Sequence, residues 1–461
     1  MFGKNNNNKQ QDFFLIQLSI LSFTCLLFCA EVSAKPQAYH SQPTIESTLD
    51  NGLKVIIRED HRSPMVMSQI WYAVGSSDEP SHLSGVSHAL EHMMFKGTSK
   101  VPNDEFTRLS RLYGGSVNAA TFTNYTNYYQ LYQKDFLALA LELEADRMNN
   151  LVLRQEDFET EIKVVMEERR QRIDDNPRAL AFERFKWIAY PTSHYRQPVI
   201  GYMKNLNTLK LADLKKWYQD WYAPNNAILV IVGDVEATST LELVKHYFAK
   251  VPARQLPQRN EVLEFSNLGN RQLKVTLPVQ VPNLYLAWNV HSLATSANPQ
   301  DAYTLVIIKN ILDSGITSRL QNNLVREQKL ATSVSTSYDL YNRGDSLFSI
   351  SAIPVNGVAL QDIENAILNE IEQLKTTPVS ADEINRVNTR YIADLIYSQD
   401  DIAGQAKMIG TLEVNGLSYH LLDQLPQHYA AVTPEDIQRV ANTYLNRTNS
   451  SSMYVLPEQE K

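Results

Sequence analysis

The sequence predicts an α+β fold built from two related domains. Three features of the 461-residue chain carry that prediction. An order of strand, strand, helix and glycine occurs twice, offset by 218 residues. A helical stretch from Asp135 to Tyr190, then the buried strand "AILVIVGDV", follows the first copy. Residues 249–265 lose periodicity and carry Pro252 and Pro257, the pattern of a linker. A chain this long exceeds one ordinary core. Its 43% hydrophobic and 20% charged residues are the composition of a globular protein. The expected division is an N-terminal domain over 43–250, a linker over 251–268 and a related C-terminal domain over 269–461.

At the N-terminus, Lys4 and Lys9 precede an apolar run from Phe13 to Ala30, and "VSA" ends at Ala34. That order reads as a secretory signal over 1–34, cleaved after Ala34, with the mature chain in the periplasm. An uncleaved anchor is the alternative, since the 18-residue run nearly spans a bilayer. Both cysteines, Cys25 and Cys29, fall inside the run, so any metal site of the mature chain has to use His and carboxylates. A net charge of −8 and no basic stripe argue against nucleic acid as a partner.

The first copy opens with "LKVIIRED" and "MVMSQIWYAVG", apolar and β-branched segments that read as strands. In "SGVSHALEHMMFKGT", Val86, Ala89, Leu90, Met93 and Met94 recur at helical spacing, and Gly97 is placed to stop the helix. "NDEFTRLSRLYGG" reads as a second helix, with Asn103 as N-cap and Gly114 as the stop. "SVNAATFTNYTNYYQLY" reads as a strand pair. Beyond the linker, "LKVTLPVQVPNLYLAWNVHSLATSANP" echoes "LKVIIREDHRSPMVMSQIWYAVGSSDEP", and Gly315 answers Gly97. The offset sets Val306, Lys309 and Asn310 opposite His88, Glu91 and His92, so one copy alone carries the polar cluster.

That cluster, "HALEH", concentrates chemistry. Of 10 His in the chain, His82, His88 and His92 fall within eleven positions. At 100° per residue, His92 lies about 40° round the helix from His88, and Glu91 about 60° the other way. Two imidazoles four apart chelate one Zn²⁺ at ordinary Zn–N distances. Glu91 then sits where a base for a metal-activated water belongs. A solvated polar helix face is the bland alternative. A catalytic zinc needs a third protein ligand, and "FETEIKVVMEERRQRI" offers Glu161, Glu167 and Glu168. Glu161 and Glu168 return to within about 20° of one face. Spacing does not choose among the three.

HxxEH is the inverted zinc motif of the inverzincins, and its surroundings resemble the pitrilysin (insulinase) family over nearly the whole mature chain. "GVSHALEHMMFKGT" is similar to that family's zinc helix, "YGGSVNAATFTNYTNYY" to its substrate-lining block and "ETEIKVVMEERRQRIDDNP" to its glutamate helix. "SHYRQPVIGY" and "WYQDWYAPNNAILVIVGDV" resemble two further blocks. The resemblance implies two homologous α+β domains, mixed sheets packed with helices, that enclose a cleft. It implies a zinc metalloendopeptidase with one Zn²⁺ per chain. The third ligand would lie 76 positions beyond His92, at Glu168, with Glu161 in an accessory role and Glu91 as catalytic base. An extended peptide substrate would pair with an edge strand near Asn118 and Ala119.

The chain departs from the family in its second half. Many single-chain members carry an Arg and a Tyr there, seven apart, that contact substrate. Here Val325 and Thr332 hold those places, and Arg326 is one position off. The expectation is therefore a catalytic subunit acting as a homo- or heterodimer, with a sister subunit supplying the Arg/Tyr pair. The rivals are a non-catalytic peptide-binding or scaffold subunit of the same fold, and a purely structural zinc.

Overall fold

The apolar runs become strands of two mixed sheets with one topology. The first sheet holds β1 (Thr44–Thr48), β2 (Lys54–Glu59), β3 (Met65–Tyr72), β4 (Ser116–Thr121), β5 (Thr126–Gln133) and β6 (Ala227–Gly233), in the order β1-β2-β6-β3-β5-β4. The second holds β7 (Arg271–Leu277), β8 (Asn283–Val290), β9 (Ala331–Ser337), β10 (Ser346–Pro354) and β11 (Ser450–Pro457), in the order β7-β11-β8-β10-β9. Without β1 the two orders are the same. β2 pairs parallel with β6 and β7 with β11, and the other neighbours are antiparallel. β3 and β8 keep the 218-residue offset at both ends, Met65 to Asn283 and Tyr72 to Val290. These are the two related α+β domains expected from the sequence. The computed structural model describes residues 43–259, 264 and 267–458. The expected signal segment, with Cys25 and Cys29, lies outside the described residues, as do 260–263, 265 and 266 of the expected linker.

Burial explains why the central strands read as continuous apolar runs. β6 is buried throughout, and β3 along all but its first residue, because both faces of the first sheet are covered. One face carries first-half helices, including Val86–Met93 and Leu211–Trp221, whose Val86, Leu90, Leu214 and Trp217 join Val55, Ile70 and Leu229 in one core. The other face is covered by a helix of the second half, Ile402–Val414. Its Ala406 and Ile409 share a core with Met67, Trp71 and Val230. The exchange is reciprocal. The first-half helix Pro177–Ala189 sets Ala181, Phe185 and Ala189 against Leu277, Ala287 and Met453 of the second sheet, with Phe185 stacked on Tyr285 at 5.6 Å. Each half thus completes the core of the other.

Two local readings change. Asn103 does not cap the second helix: Asp104 does, without a side-chain bond, and Asn103 takes a left-handed φ of 56°. Both residues suit a cap, and the turn that reverses the chain at Gly97 claims Asn103. The helical middle is interrupted by a π-helical turn at Arg170–Asp174, and a second π segment, Gln321–Glu327, carries Val325 and Arg326. None of the described helices is long and apolar enough to cross a membrane.

The exchange can be tested at Gly410. A Cβ there would lie 2.1 Å from the ring of the fully buried Trp71. The Gly410→Ala protein is expected to unfold at lower urea concentration despite a better helix propensity. Overpacking of this kind costs about 1–3 kcal/mol, against about 1 kcal/mol gained from propensity.

Candidate functional site

The helix Val86–Met93 is held at its N-terminus by three contacts. Gly85 takes a left-handed φ of 96° and abuts Gly201, φ 83°; a Cβ on Gly85 would meet the Gly201 Cα at 2.9 Å. The buried Glu79 accepts from the backbone N–H of Gly85 at 2.7 Å and of Ser87 at 2.8 Å. Burial pushes Glu79 up to about 8 despite those bonds. Trp217 Nε1 donates to Ser87 Oγ at 3.1 Å. The second helix of the site, Gln155–Arg169, ends one residue beyond Glu168. Arg169 there donates to Glu183 at 2.8 and 3.0 Å and to the Gly201 carbonyl at 2.9 Å. Gly201 therefore touches both helices and sets their spacing.

Between them three donors converge. His88 Nε2 lies 3.6 Å and His92 Nε2 3.4 Å from Glu168 Oε2. The imidazoles are 4.9 Å apart at 73°, and the donor atoms of the trio all lie within 4.8 Å of one another. Charge-assisted hydrogen bonds are shorter, about 2.7–2.9 Å. Donors at about 2.0–2.1 Å from one tetrahedral Zn²⁺ are about 3.3 Å apart. The trio therefore fits the corners of a zinc site better than a hydrogen-bonded cluster. Its donor set, two imidazoles and one carboxylate, leaves a fourth position open.

The surroundings orient these donors. Glu161 Oε2 meets His92 Nδ1 at 3.1 Å, while Lys96 Nζ holds the other Glu161 oxygen at 2.8 Å. A carboxylate accepts, so Nδ1 carries the proton and the Nε2 lone pair faces Glu168. Burial would raise Glu161, but Lys96 and His92 outweigh it and hold it below its ordinary value. Arg172 on the π turn pairs with Glu168 Oε1 at 2.8 Å. His88 is buried, its Nδ1 without a hydrogen-bond partner. Burial, with His92 and Arg172 nearby, pushes His88 down to about 3, so it is a neutral donor at pH 7. Glu91 Oε2 accepts from Thr121 Oγ1 at 2.5 Å. Burial raises Glu91 above the ordinary carboxylate range against the opposing pull of Thr121 and His92.

The other anticipated residues fall as follows. Glu167 is exposed and pairs with Arg170 at 2.9 Å, away from the trio. His82 is exposed in the turn Ser81–Leu83. Asn118 and Ala119 lie on β4, the open edge of the first sheet, with Ala119 N–H donating to Asn118 Oδ1 at 2.9 Å. In the second half, Asn310 Nδ2 donates to the Val306 carbonyl at 3.0 Å, and both are buried. A cavity of about 400 Å³ adjoins His88, Glu91 and Thr121, and its lining runs from His88 to Ile200, within the first half. Sequence reasoning missed Thr121, Glu79, Lys96 and Arg172. Lys96 and Arg172 stand four residues beyond His92 and Glu168, a spacing visible in the sequence; Thr121 and Glu79 meet the helix through tertiary contacts alone.

A two-domain α+β chain with a His–His–Glu trio on facing helices defines a class of zinc-peptidase-like proteins. Residues 54–202 match the model of the insulinase family (peptidase family M16), and 208–391 match that of the M16 inactive domain. The chain belongs to this M16 family. It is 29% identical over 439 residues to zinc protease PqqE of Helicobacter pylori, covering 94% of this chain and 97% of that one. It is 25% identical over 419 residues to the mitochondrial-processing peptidase subunit beta of Lentinula edodes, covering 87% of each. The crystal structure of a protease from Helicobacter pylori superposes with a TM-score of 0.84 at 28% identity, covering 90% of this chain and all of that one.

Two outcomes check the site. Glu161→Gln is expected to weaken zinc binding by about 10–100-fold, read by competition with a chromophoric chelator. Thr121→Val removes a hydrogen bond that stabilises the Glu91 carboxylate, so the Glu91 pKa rises further. The acid limb of the kcat/KM–pH profile should then move to higher pH, and Thr121→Ser should leave it in place.

Proposed function

We propose that the chain is a zinc-dependent endopeptidase that hydrolyses peptides or unfolded polypeptides, exported to the periplasm and acting as the catalytic subunit of a pair. The convergence of three donors from two helices, with Glu91 beside them, carries this reading. His88, His92 and Glu168 would hold one Zn²⁺, and Glu161 would keep His92 in the binding tautomer. Bound zinc supplies Lewis acidity, which polarises a scissile carbonyl and acidifies a water.

The chain's own residues do the rest. Glu91, with one oxygen held by Thr121, takes a proton from the attacking water through the other and passes it to the leaving amine. A raised pKa suits both transfers, because the group then gains and loses a proton nearer neutrality. The open edge of β4 at Asn118 and Ala119 offers main-chain groups to an extended peptide. That mode reads backbone, which favours unfolded segments.

The second half supports the paired reading. Val325 packs against its core, Arg326 is exposed, and Thr332 Oγ1 donates to the Ile353 carbonyl at 3.3 Å. Position 325 holds no cation and position 332 no phenol, so a sister subunit would supply the Arg/Tyr pair. One relative is itself named as a subunit, the mitochondrial-processing peptidase subunit beta of Lentinula edodes.

Glu91→Gln separates the reading from its rivals. The variant should keep its zinc, measured by elemental analysis, and lose peptide hydrolysis by at least about 10²-fold. Unchanged turnover would remove Glu91 from the mechanism. Pairing is read by adding the sister subunit: the pair should turn over far faster than the chain alone.

A further inference from the structure

The cavity beside the trio carries an unusual set of charges. Its titratable lining comprises Arg172, Lys186 and Arg196 on one side of the balance and Glu91 and Glu183 on the other, besides His88. Glu183 is already committed, since it accepts from both terminal nitrogens of the Arg169 guanidinium at 2.8 and 3.0 Å. Glu91 is the base, with one oxygen on Thr121. Arg172 is largely exposed and leans on Glu168 at 2.8 Å. Arg196 donates one nitrogen to the Pro191 carbonyl at 2.6 Å. Lys186 projects from the helix Pro177–Ala189, the helix that the first half lends to the second sheet.

Lys186 is the informative member. An ammonium has three donors, and the hydrogen bond from Lys186 Nζ is a long one, 3.4 Å, to the Gln197 carbonyl. Burial lowers its pKa to about 8, with Glu183 opposing that shift. A cation kept in such a place is stabilised by an incoming acceptor of opposite charge, and in a partly dehydrated pocket that attraction exceeds its value in water. The remaining walls, among them Ile173, Phe182 and Ile200, are apolar. The volume of about 400 Å³ is at the small end of ligand cavities, about 300–1,000 Å³.

Resting on the peptidase reading above, we propose that this cavity selects a substrate carboxylate next to the scissile bond, held by Lys186 with Arg196 beside it. The carboxylate has two sources: an internal Asp or Glu side chain, or the C-terminus of a short peptide. The walls beyond the charged end take the methylene stem. Lys186 is thus a specificity residue, distinct from the groups that handle the proton and the metal.

The test uses the full chain, zinc-loaded and carrying Glu91→Gln so that peptides are bound and not consumed. Fluorescent decapeptides with amidated C-termini carry Glu, Gln or Lys at one position. A parallel set has a neutral sequence with a free or an amidated C-terminus. Glu peptides are expected to bind at least about tenfold more tightly than their Gln isosteres, a difference of about 1.4 kcal/mol, and Lys peptides more weakly still. Lys186→Met should bring the Glu/Gln ratio toward unity, and Lys186→Arg should keep it. A preference for the free C-terminus, and none for internal Glu, assigns the carboxylate to the chain end. Equal affinities for Glu, Gln and Lys peptides and for both termini, or a ratio that survives Lys186→Met, overturn the assignment of Lys186. Failure of every peptide to bind would instead sink the peptidase reading on which the inference rests.

Discussion

Two helices remote in sequence have to deliver three donor atoms to one point, and the spacing between those helices is set at Gly201. Its backbone lies against Gly85 at the start of the histidine helix, and its carbonyl accepts from Arg169 at the end of the glutamate helix. Where the two glycines meet, neither has space for a Cβ. Glu79 then fixes the rotation of the histidine helix through the N–H groups of Gly85 and Ser87. With these in place, the separations of 3.4 and 3.6 Å between the imidazoles and Glu168 follow from helix geometry. Glu161 and Thr121 refine what the backbone has positioned, one by choosing a tautomer and the other by holding a carboxylate.

Among the described residues the second half has no counterpart of the His–His–Glu trio, yet it is part of the site's support. Its helix Ile402–Val414 covers the face of the first sheet opposite the histidine helix, over Trp71 and Met67. Its loop 339–345 reaches the two segments that flank the site. Arg343 pairs with Asp78 at 2.8 Å, next to Glu79, and Asn342 accepts from Asn124 at 2.6 Å, in the hairpin turn that follows Thr121. The cluster positions in the second copy are filled by a buried Val306 and a self-satisfied Asn310, so that face became core.

Much of this was legible in the residues. HALEH declares itself because a 3.6-residue period carries His88, Glu91 and His92 to one face, and because two imidazoles four apart make a chelate. The duplication is legible as a repeated order of elements, which the strand orders bear out. The choice among Glu161, Glu167 and Glu168 was not legible from spacing, because it depends on how the glutamate helix is rotated against its partner. Glu167 turned out to face solvent. Thr121 was hidden for a related reason: its contact needs the β4–β5 register and the helix docked over it. An amphipathic pattern says that a helix needs an apolar partner and does not say which, so the helix exchange was hidden too. Asn103 was misread because it and Asp104 are equally good caps by residue type.

The proposed function requires one zinc ion where His88, His92 and Glu168 converge. Crystals of the purified protein, with anomalous diffraction recorded on both sides of the zinc edge, test it most directly. The expected result is one anomalous peak per chain, about 2.0–2.2 Å from His88 Nε2, His92 Nε2 and a Glu168 carboxylate oxygen, with no fourth protein ligand. A peak held elsewhere, a site closed by a fourth side chain, or no zinc signal from protein purified with zinc present would contradict it.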